Sequence, residues 1–163
     1  MSTEQAITCR PLPPWLMKTA ISVDGIQSII QHARGGREFE IRCLNGRNMG
    51  TLAGVFEEFG KSLDFPDYYG RNSAALEECL NDLSWLPAQG YLLVVTHSSL
   101  LLKNEPPSEL TWLLALLERV CEEWSRPVRL GEEWDRPAVP FHVVFQDEPL
   151  GKTPTLQIAS LPG

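Results

Sequence analysis

Apolar residues recur along this chain at two spacings, and the changes between them mark out its elements. From Glu38 to Leu44, Phe39, Ile41 and Cys43 alternate with Glu40 and Arg42, as on a half-buried strand. Asn45-Gly46 follows as a turn signal. From Thr51 to Leu63 the apolar positions Leu52, Val55, Phe56, Phe59 and Leu63 fall at the i, i+3, i+4, i+7 spacing of an amphipathic helix, with Thr51 suited to its N-cap. Pro66 to Gly70 is a turn-rich loop. Asn72 can cap the next helix, whose stripe is Leu76, Cys79, Leu80 and Leu83. Gly90 to Thr96 is almost wholly apolar and predicts a central strand covered on both faces. Pro106-Pro107-Ser108 opens a long helix with the stripe Leu110, Leu113, Leu114, Leu117, Val120, Cys121 and Trp124, ended by Pro127. A polar connection over 126–138 leads to a last strand from Val139 to Phe145.

The ends of the chain are patterned less strongly. Residues 1–20 read as a loose leader holding Pro11, Pro13, Pro14 and Trp15. Ser22 to Arg34 predicts a short helix with Ile26, Ile29 and Ile30 on one face, stopped by Gly35-Gly36. Residues 146–163 read as a tail or an extra edge element. The expected organisation is an N-terminal extension over 1–37, one domain over 38–145 and a C-terminal tail over 146–163. Within that domain, strand, helix, helix, strand, helix, strand argues for an α/β fold with a parallel sheet and right-handed crossovers.

Composition narrows the function classes. At 163 residues and 43% hydrophobic, the chain can bury one ordinary core. No apolar run approaches the roughly 18 residues of a membrane helix, and the first residues lack the pattern of a signal peptide. A cytoplasmic protein without membrane contact is expected. The cysteines at 9, 43, 79 and 121 and the histidines at 32, 97 and 142 lie far apart, so no metal site or cofactor is expected, and the thiols read as reduced and mostly buried. The net charge of -7 is uneven: residues 51–135 hold six basic against fifteen acidic side chains. Direct nucleic-acid binding needs the opposite footprint. The plainest reading of such acidity is a solubilising surface. Motifs for phosphate cradling or a nucleophile elbow are absent from the sequence, and His97 and His142 at strand ends read as structural, so an enzyme is not expected.

One segment asks for more than solubility. In the helix after Asn72, a step of about 100° per residue with Leu76 inward turns Ala74, Glu77, Glu78 and Asn81 outward, with Asp82 on the flank. Glu78 stands over the small Ala74. Of Tyr68 and Tyr69 just before, one can pack inward while the other offers an exposed ring. Glutamate doublets at 57–58, 122–123 and 132–133 read as solvated surface. A glycine-containing aromatic loop joined to a capped acidic helix is more specific. Carboxylates on a rigid element can stand where a nucleic acid's phosphates would stand, and rigid rings suit protein interfaces.

The run Phe65-Pro66-Asp67-Tyr68-Tyr69-Gly70-Arg71-Asn72, continued by Leu76 and Cys79-Leu80 and preceded by Asn45-Gly46 and the helix at 51–63, resembles the barstar family of ribonuclease inhibitors. The resemblance is clear over 38–96 and continues by order of elements through 145. It implies a three-layer α/β fold with a small three-stranded parallel sheet flanked by helices. It also implies a non-catalytic inhibitor, an immunity or antitoxin protein, whose loop and acidic helix plug the active site of a basic ribonuclease or nuclease toxin. Glu78 would replace a substrate phosphate and Tyr68 would lie over the nuclease site. The implied face comprises Tyr68, Tyr69, Gly70, Asn72, Ala74, Glu77, Glu78, Asn81 and Asp82, with a further acid from Glu118, Glu122 or Glu123. Three positions depart from the pattern: Ala74 replaces a carboxylate, Glu77 a tryptophan, and Glu78 is one methylene longer than the usual aspartate. The expected target is therefore a nuclease other than barnase, and the free chain is expected to be a monomer. The alternative is a barstar-like interaction or regulatory module without inhibition.

Overall fold

The computed structural model describes residues 10–33, 37–147 and 156–157. The chain runs β1 (Leu16–Thr19), α1 (Val23–Ala33), β2 (Phe39–Asn45), α2 (Leu52–Ser62), α3 (Ser73–Asp82), β3 (Gly90–Thr96), α4 (Pro107–Ser125), β4 (Phe141–Gln146) and β5 (Leu156–Gln157). These form one sheet in the order β2-β3-β4-β1-β5. Strands β2, β3, β4 and β1 are parallel, and the two-residue β5 pairs antiparallel with β1.

The sheet thus has four parallel strands where three were expected. The additional one, β1, lies in the stretch read as a loose leader. Leu16 and Met17 are buried and Lys18 is exposed, but four residues beside a cluster of prolines give too short a pattern to register as a strand. Its partner is β4, with Leu16 opposite Val143 and Thr19 opposite Gln146.

Topology places the helices. The steps β2 to β3 and β3 to β4 run in one direction across the sheet, so right-handed crossovers put α2, α3 and α4 on one face. The step β1 to β2 runs in the other direction and puts α1 on the opposite face. The packing follows. Tyr91, Leu93 and Val95 of β3 join Phe59, Leu80 and Leu117 in the main core, while Leu92 and Val94 join Met17, Ile26 and Val144 under α1. Strand β3 is buried on both faces, as its unbroken apolar run predicted.

The Asn45-Gly46 turn is fixed by close packing. A side chain at Gly46 would collide with the carbonyls of Thr96 and His97. Glu58, which the sequence placed on the solvated surface, is buried. Its carboxylate accepts the Asn45 backbone N–H at 2.7 Å, tying this turn to α2. At the far end of α4, the Trp124 indole donates to Leu80 O at 2.8 Å and locks α4 to α3.

Among the described residues no helix is long and apolar enough to cross a membrane. The Gly35-Gly36 stop, the side chains of Ile29 and Ile30, Cys9 and most of the tail lie outside the described residues.

Candidate functional site

Local bonds position the acidic helix. Asn72 caps α3, its side-chain oxygen accepting the Ala75 N–H at 2.9 Å. At the other end, Leu83 takes a left-handed conformation (φ 48°), and its N–H donates to Cys79 O. Leu76, Cys79 and Leu80 are buried, so the rotation of α3 about its own axis is set by apolar packing.

The loop ahead of α3 is held as firmly. Tyr69 is buried, and its ring meets Phe65 edge to face at 4.8 Å. A Cβ at Gly60 would stand 3.0 Å from that ring, so the glycine gives it room. The Tyr69 hydroxyl donates to Phe56 O at 3.0 Å, and burial pushes its pKa up. Phe65 also packs against Trp85, whose indole donates to Leu63 O. Arg71, at φ 51°, is tied to Glu57 by a 2.7 Å ion pair. With Tyr69 anchored inward, Tyr68 is turned out and 70% exposed. Its hydroxyl pKa is raised, by desolvation first and then by the negative charge of Asp82, Cys79 and Glu78.

Among the other residues read from the sequence, Gly70, Asn72, Ala74, Glu78 and Asp82 are exposed on the same loop and helix. Neither Glu78 nor Asp82 has an ion-pair partner among the described residues. Glu77 and Asn81 are half-buried instead of pointing fully outward. A helical projection gives angles about one axis and says nothing of the neighbouring helix. Here α4 packs alongside, and Arg119 reaches across to Glu77 with Nε–Oε2 at 3.1 Å and Nη2–Oε1 at 3.3 Å. The Oδ1 atom of Asn81 is the one buried side-chain polar atom without a hydrogen-bond partner among the described residues.

Glu122 and Glu123 are exposed one turn beyond Arg119, the α4 residue that faces α3. Glu123 lies 3.9 Å from Arg126. Arg119 itself did not emerge from the sequence. Its signal was a single basic side chain among Glu118, Glu122 and Glu123 on a helix expected to pack near α3. Among the described residues no group of three or more His, Cys, Asp or Glu side chains could hold a metal ion.

The face therefore offers an exposed ring, two unpaired carboxylates and a neutralised Glu77–Arg119 pair, all on rigid backbone. That suits contact with a cationic protein surface. Residues 39–146, well over half of the chain, match the family model described as "Barstar (barnase inhibitor)". A stretch of 44 residues is 41% identical to the Bacillus subtilis (strain 168) protein named "Putative ribonuclease inhibitor YrdF". That stretch is 27% of this chain, which spans 48% of the length of the curated relative. With the parallel α/β sheet, the capped acidic helix and a family match running through both, the chain belongs to the barstar family.

Proposed function

We propose that this protein is a non-catalytic inhibitor of a basic ribonuclease or nuclease toxin, acting as an immunity protein or antitoxin in the cytoplasm. The observation that carries this is an exposed Tyr68 on the anchored loop that leads into α3, where Glu78 and Asp82 present exposed carboxylates without ion-pair partners among the described residues. A ribonuclease site is lined by cations that bind phosphate. A helix already folded and capped can occupy it without ordering backbone at the moment of binding, so only the carboxylate side chains lose freedom. Glu78 stands in for a substrate phosphate, Asp82 adds charge, and the Tyr68 ring covers apolar surface at the rim. Gly70, Asn72, Ala74 and Asn81 shape the face, Glu122 and Glu123 extend its charge, and Tyr69 acts from beneath by fixing the loop. The free chain is a monomer in this reading.

The test is affinity capture from the native host with wild-type and Glu78→Ala chains in parallel, followed by titration of RNA cleavage by the captured protein. Loss of a desolvated charge contact costs about 2–5 kcal/mol, so Glu78→Ala is expected to weaken inhibition at least about 30-fold. A captured partner that cleaves neither RNA nor DNA, or that binds both chains equally, overturns the proposal.

A second reading draws on Ala74 and the Glu77–Arg119 pair, which leave α3 with fewer free acids than the sequence suggested. A barstar-family module that binds a protein without inhibiting a nuclease would show capture with no change in RNA cleavage.

A further inference from the structure

Arg119 stands where the proposed face meets α4. Its own helix offers Glu122 and Glu123 three and four residues on, at the spacing of an intrahelical ion pair. The guanidinium pairs with neither and crosses to α3 instead. It meets Glu77 fork to fork, with Nε–Oε2 at 3.1 Å and Nη2–Oε1 at 3.3 Å, which fixes the plane of the group. Only two of its five N–H donors are used in this way. Among the described residues the other three have no partner. The Arg119 side chain is 54% exposed, so in the free chain water can serve those donors.

A protein seated on Glu78 covers this group. The guanidinium lies within about 12 Å of the Glu78 Cα, the span of one Cα step, an extended glutamate side chain and the 3.1 Å bond. An ordinary interface covers about 800 Å² per partner, a patch roughly 30 Å across, so Arg119 falls inside it. Once covered, the pair with Glu77 offsets its own desolvation only if the remaining donors are bonded too. Three N–H groups on one guanidinium call for acceptor oxygens from the partner. A carboxylate is the acceptor that matches both the fork and the charge.

We infer that the partner sets an acidic side chain against Arg119, so that the nuclease surface fitted by this face is mixed in sign. Cations lie opposite Glu78 and Asp82, and a carboxylate lies opposite Arg119. The inference rests on the proposed inhibitor reading and narrows its target. A nuclease with a basic residue at that place would bring it against Arg119 and be rejected, so Arg119 sets specificity by repulsion as well as by attraction.

The probe is the nuclease captured by the wild-type chain. Its affinity and rates are measured for wild type, Glu78→Ala, Glu77→Ala, Arg119→Ala and the Glu77→Ala/Arg119→Ala double variant. An ion pair this exposed adds little to stability, so the free variants are expected to melt as wild type does. Arg119→Ala makes the chain more acidic and unmasks Glu77, so charge steering alone would leave its binding to a basic nuclease unchanged or tighter. The inference predicts the opposite. Affinity falls about 10-fold or more through faster dissociation, because Glu77 is left facing the partner's acid. Glu77→Ala alone loses less, since Arg119 keeps its acceptor, and the double variant regains part of the Arg119→Ala loss. Unchanged or tighter binding by Arg119→Ala, beside a large loss in Glu78→Ala, overturns the inference and leaves the inhibitor reading standing. A loss in Glu77→Ala as large as in Arg119→Ala reduces the pair to a staple between helices, and a double variant no better than Arg119→Ala removes the partner's acid; either overturns the inference alone. Unchanged affinity in Glu78→Ala, or no nuclease captured, overturns both.

Discussion

At the residue scale, His142 and Tyr69 show how buried polar groups fix what lies around them. His142 is fully buried on β4, with Nδ1 at 3.0 Å from Pro14 O and Nε2 at 2.7 Å from Arg10 O, so it pins the segment before β1 to the sheet. Two carbonyl acceptors favour the charged ring, but burial opposes it more strongly and lowers the His142 pKa from its ordinary value of 6.5. Between the lowered folded value and the ordinary unfolded one, the unfolded chain binds more protons, so stability falls as pH drops through that window. Denaturant midpoints at pH 7.5 and 5.5 are expected to fall further in wild type than in His142→Gln. Equal losses would show that His142 titrates alike in both states. Tyr69 supports the proposed face in the same indirect way. Its anchored ring leaves Tyr68 nowhere to go but outward.

At the element scale, α3 depends on its cap. Asn72→Ala removes the acceptor for the Ala75 N–H and is expected to cost about 1 kcal/mol, with faster amide exchange confined to the first turn of α3. Exchange at Ala75 that matches wild type would show that packing alone holds the helix. This helix was legible in advance because cap, stripe and aromatic loop all lie within one short run of sequence. Strand β1 was not, since its four residues gain their meaning from β4, more than 120 positions away. The orientation of Glu77 was missed for a similar reason. It depends on Arg119 from another helix, and no periodicity within α3 encodes it. Glu58 looked like half of a solvated doublet because its partner, the Asn45 N–H, carries no side-chain signature.

At the scale of the whole molecule, fold and charge divide the work. The sheet between α1 and the α2–α4 layer supplies the rigidity, and the stretch 51–135, six basic against fifteen acidic side chains, supplies the field. In the proposed reading a field of that sign steers a cationic partner, so the association rate with the captured ribonuclease is expected to fall by about tenfold or more between 50 and 500 mM salt, the dissociation rate changing far less. A salt-independent association rate would remove charge from the account. The central claim, that α3 blocks a nuclease through Glu78, is tested most directly by titrating the RNA cleavage of the captured ribonuclease with wild-type and Glu78→Ala chains. Complete inhibition at one equivalent of wild type, weakened at least about 30-fold in Glu78→Ala, is the expected result. Equal inhibition by the two chains would contradict it.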